Sequence, residues 1–497
     1  MKPRVIVRCD GGTDIGMGHV VRCLALAHML HDYFDISFVL QETDNTIYKW
    51  IEDNGFSFKT IIRSNDEETA VAQLLEVLAQ STNRESIVVL DGYHIQTLHQ
   101  QLLKKEGYRV VAIDDLHSWA HVADAILNHA PGIKSDAYQA AHSTRLLLGA
   151  DYALLRPSLL EASKRERKIQ SPKHFLISMG AADEHNYTLF FARLVRKQFP
   201  SVKLNLLTST LNKHLEELYT LTTAFPDRVS LHINISTEQL TELLIQTDVV
   251  ICPASTISLE ACAAGCTLIT GYTAPNQRGI LAGLQKSGAG FSLDSFEKLE
   301  AEPVTLQLEE WLLDENLRIS QLHNQRALID GKSGFRLALA FLEIEKNASL
   351  RSATKEDVEL YFQWANDPDV RANSYQTADI NWDDHVKWFE DTLASPENAL
   401  YLYSISEKPA GQIRLRMTEK KAVISYSVAH DFRGKGLGKW MLTHISILMR
   451  VAHPQVRQLE GWVKKTNVAS LKAFQSGGYQ VAEESSDSIL FRLELHS

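Results

Sequence analysis

Near the N-terminus, Val5-Ile6-Val7-Arg8-Cys9-Asp10-Gly11-Gly12-Thr13-Asp14-Ile15-Gly16-Met17-Gly18-His19-Val20-Val21-Arg22 reads as strand, loop and helix in succession. The apolar Val5-Ile6-Val7 suits a parallel strand buried on both faces. After His19, the residues Val20, Leu24, Ala27 and Leu30 recur at helical spacing. Glycines between the two let the backbone approach a ligand, and a helix N-terminus offers free N–H groups to an anion. His19 stands at that terminus, where an imidazole can take a proton near neutral pH.

The same alternation continues outward. Ile36–Leu40, Phe58–Ile62, Ile87–Leu90, Val110–Ile113 and Ala125–Leu127 are apolar runs separated by helix-period segments. They predict a doubly wound parallel sheet over residues 1–160, finished by Leu146–Leu148 and Tyr152–Leu155. The charged stretch Glu161–Ser171, closed by Pro172, reads as a solvated linker. A second series, Phe175–Ile177, Leu204–Leu207, Val229–His232, Val249–Ile251 and Thr267–Thr270, predicts a second Rossmann-like half over 172–345. Helical segments 306–313, 317–328 and 334–345 close it. From about Ser349 the pattern becomes strand-turn-strand, with Tyr401–Ile405, Gln412–Met417 and Ala422–Ser427. That predicts an antiparallel sheet with flanking helices over 349–497. The expected class is α/β, two Rossmann-like halves followed by an α+β domain.

At 497 residues the chain is too long for one core and suits about three domains of ~150 residues. A formal charge of −10 with no long basic run argues against a nucleic-acid partner. Lys164–Lys168 is basic but mixed with acid, as in a solvated linker. No signal peptide and no apolar run of ~20 residues is evident, so a cytoplasmic protein without a membrane partner is expected. The five cysteines lack metal-type spacing; core thiols in a reducing compartment, and no metal, are expected.

The loop ending in Gly16-Met17-Gly18-His19, with Arg22, belongs to a collinear set. Its other members are Asp91-Gly92-Tyr93, Ile113-Asp114-Asp115, Leu154-Leu155-Arg156-Pro157, Ser178–Asp183 and Pro275-Asn276-Gln277. Together they resemble the UDP-2,4-diacetamido-2,4,6-trideoxy-β-L-altropyranose hydrolases of pseudaminic acid biosynthesis over residues 1 to about 345. The resemblance implies two halves facing across a glycosyltransferase-B-like cleft, and inverting C–O cleavage that releases UDP. It implies His19 as general base on water, with Gly16, Gly18, Arg22, Tyr93, Gly180, Asn276 and Gln277 meeting substrate. Ala254–Glu260 resembles a glycosyltransferase-B uridine site, Ser255 and Thr256 opening a helix beside phosphate and Glu260 accepting from ribose. From the residues themselves other roles stay open. His19 can be satisfied by water, and Tyr93 can be an ordinary strand-end aromatic. Asn276 can cap a helix over 277–285, and Glu260 can be a buried acid with a structural partner. Asp114-Asp115 can shape a loop through cap hydrogen bonds.

In the third segment, Val428 and Asp431-Phe432-Arg433-Gly434-Lys435-Gly436-Leu437-Gly438 precede a helical pattern over 439–451. Arg433, Gly436 and Gly438 resemble the pyrophosphate loop of the GCN5-related N-acetyltransferases, where side chains would block an anion lying on backbone N–H groups. The resemblance implies acetyl-CoA as co-substrate, held by Val428, Arg433, Gly434, Gly436 and Gly438. It also places Asn467, in Asn467–Phe474, on the pantetheine arm. Leu350–Asp357 and Trp364–Pro368 resemble the family's N-terminal helices. Phe474 stands where many members carry a tyrosine that protonates the departing thiolate. Tyr479, Tyr426, water or the exposed thiolate itself are the remaining candidates. Trp382, Trp388 and Phe389 form an aromatic set for an acceptor pocket or a small core.

Two consecutive steps on one chain are expected: N-acetylation of the 4-amino group of a UDP-amino sugar, then hydrolysis of the diacetamido product. The alternatives are another UDP-amino sugar or acyl group, a glycosyltransferase, or a hydrolase with a non-catalytic CoA-binding module. The oligomeric state is not specified by the sequence.

Overall fold

The computed structural model describes residues 2–12, 17–43, 45–64, 66–80 and 86–495. They form two compact units, 1–337 and 338–497.

The first unit holds two parallel sheets. One is built from β1 (Arg4–Cys9), β2 (Asp35–Gln41), β3 (Ser57–Ile61), β4 (Ile87–Asp91), β5 (Arg109–Ile113), β6 (Ala125–Asn128) and β7 (Arg145–Leu148). Its spatial order is β3-β2-β1-β4-β5-β6-β7. The other comprises β8 (His174–Ser178), β9 (Lys203–Thr208), β10 (Val229–Ile233), β11 (Val249–Pro253), β12 (Thr267–Tyr272) and β13 (Phe291–Ser295), ordered β10-β9-β8-β11-β12-β13. In each sheet the order reverses between the first strand and the fourth, the crevice where ligands of open α/β sheets bind. The apolar runs became strands because both sheet faces are covered: every residue of β4 and of β11 is buried.

β13 was not expected; its Phe291-Ser292-Leu293-Asp294-Ser295 is an edge strand without a continuous apolar run. The linker expectation also changes. Glu161–Ser163 belong to the helix Pro157–Ser163. Arg167 is not solvated: its guanidinium donates to the carbonyls of Ala264 (2.7 Å) and Thr247. Those carbonyls end two helices, where a cation is favoured. The halves of this unit meet closely at Gly283, in the helix Arg278–Ser287: a Cβ there would lie 1.7 Å from the Pro131 carbonyl oxygen. Only glycine permits that approach.

The second unit is a seven-stranded sheet of β14 (Ala348–Ser352), β15 (Asn398–Ile405), β16 (Lys408–Met417), β17 (Lys421–Val428), β18 (Gln458–Lys464), β19 (Gln480–Glu484) and β20 (Ser488–Glu494). Its order is β14-β15-β16-β17-β18-β20-β19. All neighbours are antiparallel except β17 and β18, which run parallel and pair only over Lys421–Val423 with Gln458–Glu460. Ala348–Ser352 is a strand where a helix was expected from Leu350; the helix starts at Val358. The aromatic set divides: Phe389 is fully buried with Tyr361, Leu400 and Leu402, whereas Trp382 and Trp388 remain partly exposed. No helix among the described residues is long and apolar enough to cross a membrane.

Candidate functional site

The first switch point gathers the polar groups. His19 sits in the first turn of the helix Gly18–Leu30, and its Nδ1 lies 2.7 Å from Asp91 Oδ1 at the end of β4. Asp91 is fully buried. It also accepts from Arg22 Nε (2.7 Å), Arg22 Nη2 (2.5 Å) and Cys23 Sγ (3.3 Å). Burial alone would raise this carboxyl, but the Arg22 guanidinium, with His19, holds it well below the usual carboxylate range. An ionised Asp91 only accepts, so Nδ1 donates to it, and in the neutral imidazole that tautomer leaves the lone pair on Nε2. Nε2 forms no hydrogen bond with any described residue.

Arg22, assigned to substrate from the sequence, is buried and engaged with two carboxylates, Asp91 and Asp115 (Nη1–Oδ2 3.0 Å). Gly18 opens the helix, and Gly16 lies outside the described residues. A second histidine–aspartate pair crosses the first: His94, beyond β4, contacts Asp10, beyond β1, at 2.9 Å. Asp10 also accepts from Gln41 N–H and pairs with buried Arg8, and it too is held below the carboxylate range despite its burial. Sequence reading missed Asp91, Asp10 and His94 as partners; for the two acids, an aspartate closing or following a buried strand was the available signal.

Tyr93 joins the halves of the unit. Its ring stands edge-on to His19, centroids 4.8 Å apart. Its hydroxyl donates to Asp115 Oδ2 and accepts from Asn276 Nδ2, both at 3.4 Å. Burial, reinforced by the Asp115 charge, raises the phenol and keeps it protonated. His19, Tyr93 and Asn276 are thus brought together. Asn276 lies within the short turn Pro275–Gln277 and caps no helix, since the helix starts at Arg278. Gln277 Oε1 accepts from Thr273 N–H (2.7 Å), stapling that turn. Asp114 does shape its loop, accepting from the N–H groups of Leu116 and His117.

At the second switch point two helix starts differ. The Gly180 loop leads to the helix Tyr187–Gln198, but Asp183 already accepts from the N–H groups of Tyr187 and Thr188, both 2.9 Å. A carboxylate therefore occupies the place an anion would take. The helix Thr256–Ala264, opened by Ser255 and Thr256, has no side-chain cap; Ser258 N–H turns back to the Ser255 carbonyl (2.9 Å), and the N–H groups of Thr256 and Ile257, without a partner among the described residues, are open to an anion. Glu260 is buried and meets Arg156 Nη1 at 2.6 Å. Burial raises its carboxyl against the pull of that guanidinium. Arg156 is the structural partner such an acid requires.

In the second unit, Gly434 and Gly436 adopt φ of +74° and +77°, and a Cβ on either would meet nothing within 4 Å. The helix Leu437–Ala452 that follows Gly436 has no side-chain cap. The N–H groups of Ala429, Phe432 and Arg433 are bonded to backbone carbonyls, and the Gly434–Gly438 part of the turn is the open cradle. Arg433 does not reach into it: its guanidinium donates to Asp367 and Asp369 (2.7 Å each) and to the Val428 carbonyl (3.1 Å). Asn467 caps the helix Val468–Ser476 through Ser470 N–H, leaving its amide nitrogen to donate.

Phe474 is core. It stacks on Phe491 and lies so close to β18 that a Cβ at Gly461 would fall 2.4 Å from its ring. Tyr479 is buried too, its hydroxyl 3.5 Å from the Leu442 carbonyl. Tyr426 alone of the tyrosines weighed from the sequence reaches the cradle. Its hydroxyl lies 3.2 Å from where a Gly438 Cβ would stand and 3.2 Å from Ser470 Oγ. Burial raises its phenol, so it is protonated at neutral pH.

Residues 348–480 match the family described as the acetyltransferase (GNAT) domain. An uncharacterised protein of Methanocaldococcus jannaschii, MJ1062, is 20% identical and aligns over 96% of both chains. The UDP-2,4-diacetamido-2,4,6-trideoxy-beta-L-altropyranose hydrolase of Campylobacter jejuni is 24% identical over 52% of this chain and 87% of its own. The spore coat polysaccharide biosynthesis protein SpsG of Bacillus subtilis is 22% identical over 66% of this chain and 94% of its own. This chain therefore joins an N-terminal region that resembles the Campylobacter hydrolase and SpsG to a C-terminal GNAT acetyltransferase domain.

Proposed function

We propose that the chain is a bifunctional enzyme acting on a UDP-linked amino sugar in the making of pseudaminic acid or a closely related sugar. The observation that carries the hydrolase half is the His19–Asp91 pair at the first switch point, its Nε2 without a partner among the described residues. Nε2 takes a proton from water as the water oxygen bonds to the anomeric carbon. The C–O bond to phosphate breaks, and UDP departs with the bonding electrons. Asp91 stabilises the imidazolium through Nδ1–H, as an orienting carboxylate does in hydrolytic triads. Tyr93 and Asn276 flank the sugar. The uncapped helix at Thr256 is the seat for the diphosphate, and its N–H groups steady the leaving charge.

In the acetyltransferase half, the Gly434–Gly438 cradle holds the coenzyme A pyrophosphate. The acceptor nitrogen bonds to the acetyl carbon and the C–S bond breaks. Tyr426 then gives its proton to the thiolate while the new amide nitrogen loses one to water. Acetylation precedes hydrolysis, and the match of each region to one of these two activities supports that pairing.

The test is mass spectrometry of the full chain with UDP-4-amino-4,6-dideoxy-N-acetyl-β-L-altrosamine and acetyl-CoA. The expected products are UDP and the free diacetamido sugar. An acetylated nucleotide sugar that persists refutes the hydrolase assignment, and no reaction refutes the choice of sugar. UDP release without acetyl-CoA refutes the order.

A further inference from the structure

Acetyl-CoA at the Gly434–Gly438 cradle, the reading on which this inference rests, accounts for only one face of the second sheet. Tyr426 and Gly461 point toward the helices Leu437–Ala452 and Val468–Ser476, as their contacts with Gly438 and Phe474 show. Side chains alternate along a strand, and residues paired across strands share a face. Ser425 pairs with Arg414, Ser427 with Gln412, and Arg414 in turn with Leu400, which packs on Tyr361 and Phe389. These residues therefore occupy the opposite face, and Trp462, next to Gly461, belongs with them.

That face is polar where a covered sheet centre is ordinarily apolar. Ser425 is exposed although β17 is the middle strand of seven, and Trp462 on β18 is 41% exposed. The two residues flank the place where β17 and β18 have ceased to pair. Gln412 donates to Ser427 Oγ (3.2 Å), but its Oε1 is buried with no partner among the described residues. Arg414 is half-buried, and its guanidinium stands over the Trp388 ring, 5.3 Å from its centroid; its side chain forms no hydrogen bond or ion pair among the described residues. Burial, with repulsion from Arg416, lowers its guanidinium from the ordinary value, and no carboxylate offsets this. A desolvated, unpaired arginine beside an orphaned amide oxygen is costly unless a ligand completes both.

We propose that this recess is the acceptor site and that it selects a diphosphate-linked amino sugar. Arg414 receives the anion, Gln412 Oε1 accepts from a sugar N–H or O–H, and Trp462 offers its face to a ring. The splayed β17–β18 edge lets the amine reach a thioester held on the other face. The acceptor's chemistry is thereby tied to side chains of this domain, independently of what precedes it in the chain.

The experiment compares acetyl transfer by the full chain to UDP-4-amino-4,6-dideoxy-N-acetyl-β-L-altrosamine and to the same amino sugar without its nucleotide. Wild type is expected to favour the nucleotide-linked sugar. Arg414→Met is expected to shrink that preference by about 10- to 100-fold through KM, the worth of a charge-assisted contact. Arg414→Lys restores part of it, and KM for acetyl-CoA is the control for a merely structural loss. Equal losses on both sugars, or an unchanged preference, overturn the proposal. Coenzyme A binding by wild type without transfer to either sugar refutes the proposed reaction, and the acceptor site with it. Transfer to both sugars alike refutes only the acceptor site.

Discussion

Replacing Asp91 by asparagine removes one charge and almost no volume, and the surrounding hydrogen bonds fix the consequences. Oδ1 receives His19 Nδ1–H and Arg22 Nη2–H, while Oδ2 receives Arg22 Nε–H and Cys23. An asparagine amide must turn its NH₂ toward one of these positions. At Oδ1 it faces Arg22 Nη2–H, donor against donor, and forces His19 Nδ1 to accept, which moves the ring proton to Nε2 and abolishes the base. At Oδ2 it faces Arg22 Nε–H, donor against donor, in a fully buried place. Loss of a positioned general base costs about 10²- to 10⁴-fold, or ~3–5 kcal/mol of barrier. Breaking one side of a buried ion pair costs ~3–5 kcal/mol of stability, tempered here because Arg22 keeps Asp115. Single-turnover UDP release from the diacetamido nucleotide sugar separates the two effects when paired with thermal melting. Asp91→Asn and His19→Ala are each expected to fall by ~10²-fold or more, and the double variant no further than His19→Ala, since the pair acts as one unit. A folded Asp91→Asn within ~3-fold of wild type refutes the reasoning, as does a double variant whose loss is the product of the singles.

Tyr426→Phe is expected to lower kcat for acetyl transfer by ~10-fold or more and to remove the alkaline limb of its pH profile. Coenzyme A binding by calorimetry is expected to stay unchanged, and unaltered kcat sinks the assignment. Adding Phe474→Tyr to that variant is expected not to rescue it, because position 474 is core; recovered turnover contradicts that placement. Gly461→Ala drives a methyl into the Phe474 ring and is expected to destabilise the second unit by ~1–3 kcal/mol, read as a lowered melting transition. His129 is buried, accepts from Leu154 N–H, and is pushed down to about 4, first by burial and then by Arg22. The unfolded chain protonates this histidine near pH 6.5 and the native one only near 4, so its stabilisation is lost as pH falls through that window. The loss is on the order of 3 kcal/mol, and His129→Asn is expected to flatten it in denaturant titrations at pH 7, 5.5 and 4.

How much of the fold can be read in advance depends on where each strand lies. The central parallel strands are buried on both faces, so Ile87–Leu90 and Val249–Ile251 are unbroken apolar runs and are legible. Edge strands lack that signal. Every residue of β19 is exposed, and β13 mixes Ser and Asp with its apolar residues. β14 is an edge strand as well, and its Ala348-Ser349-Leu350-Arg351-Ser352 mixes polar and apolar residues ahead of the capped turn Lys355–Asp357.

For the sites, local motifs are legible and their partners are not. His19 is visible because glycines, a strand and a helix surround it within one short segment. Its partner Asp91 lies 72 residues away and becomes adjacent only because β4 docks beside β1. The same distance hides the partners of the other charged residues. Arg22 looks like a phosphate ligand until β4 and β5 bring it Asp91 and Asp115, and Arg433 until Asp367 and Asp369 approach. Glu260 reads as a ribose acceptor from the sequence, and only the fold adds Arg156 beside it. A basic side chain in a glycine-rich loop announces an anion; whether that anion is a substrate or the protein's own carboxylate is decided by topology. Where the fold supplies the carboxylate, the charge rigidifies the loop and the backbone N–H groups are left to bind. Where it supplies none, as at Arg414, the charge is left for a ligand.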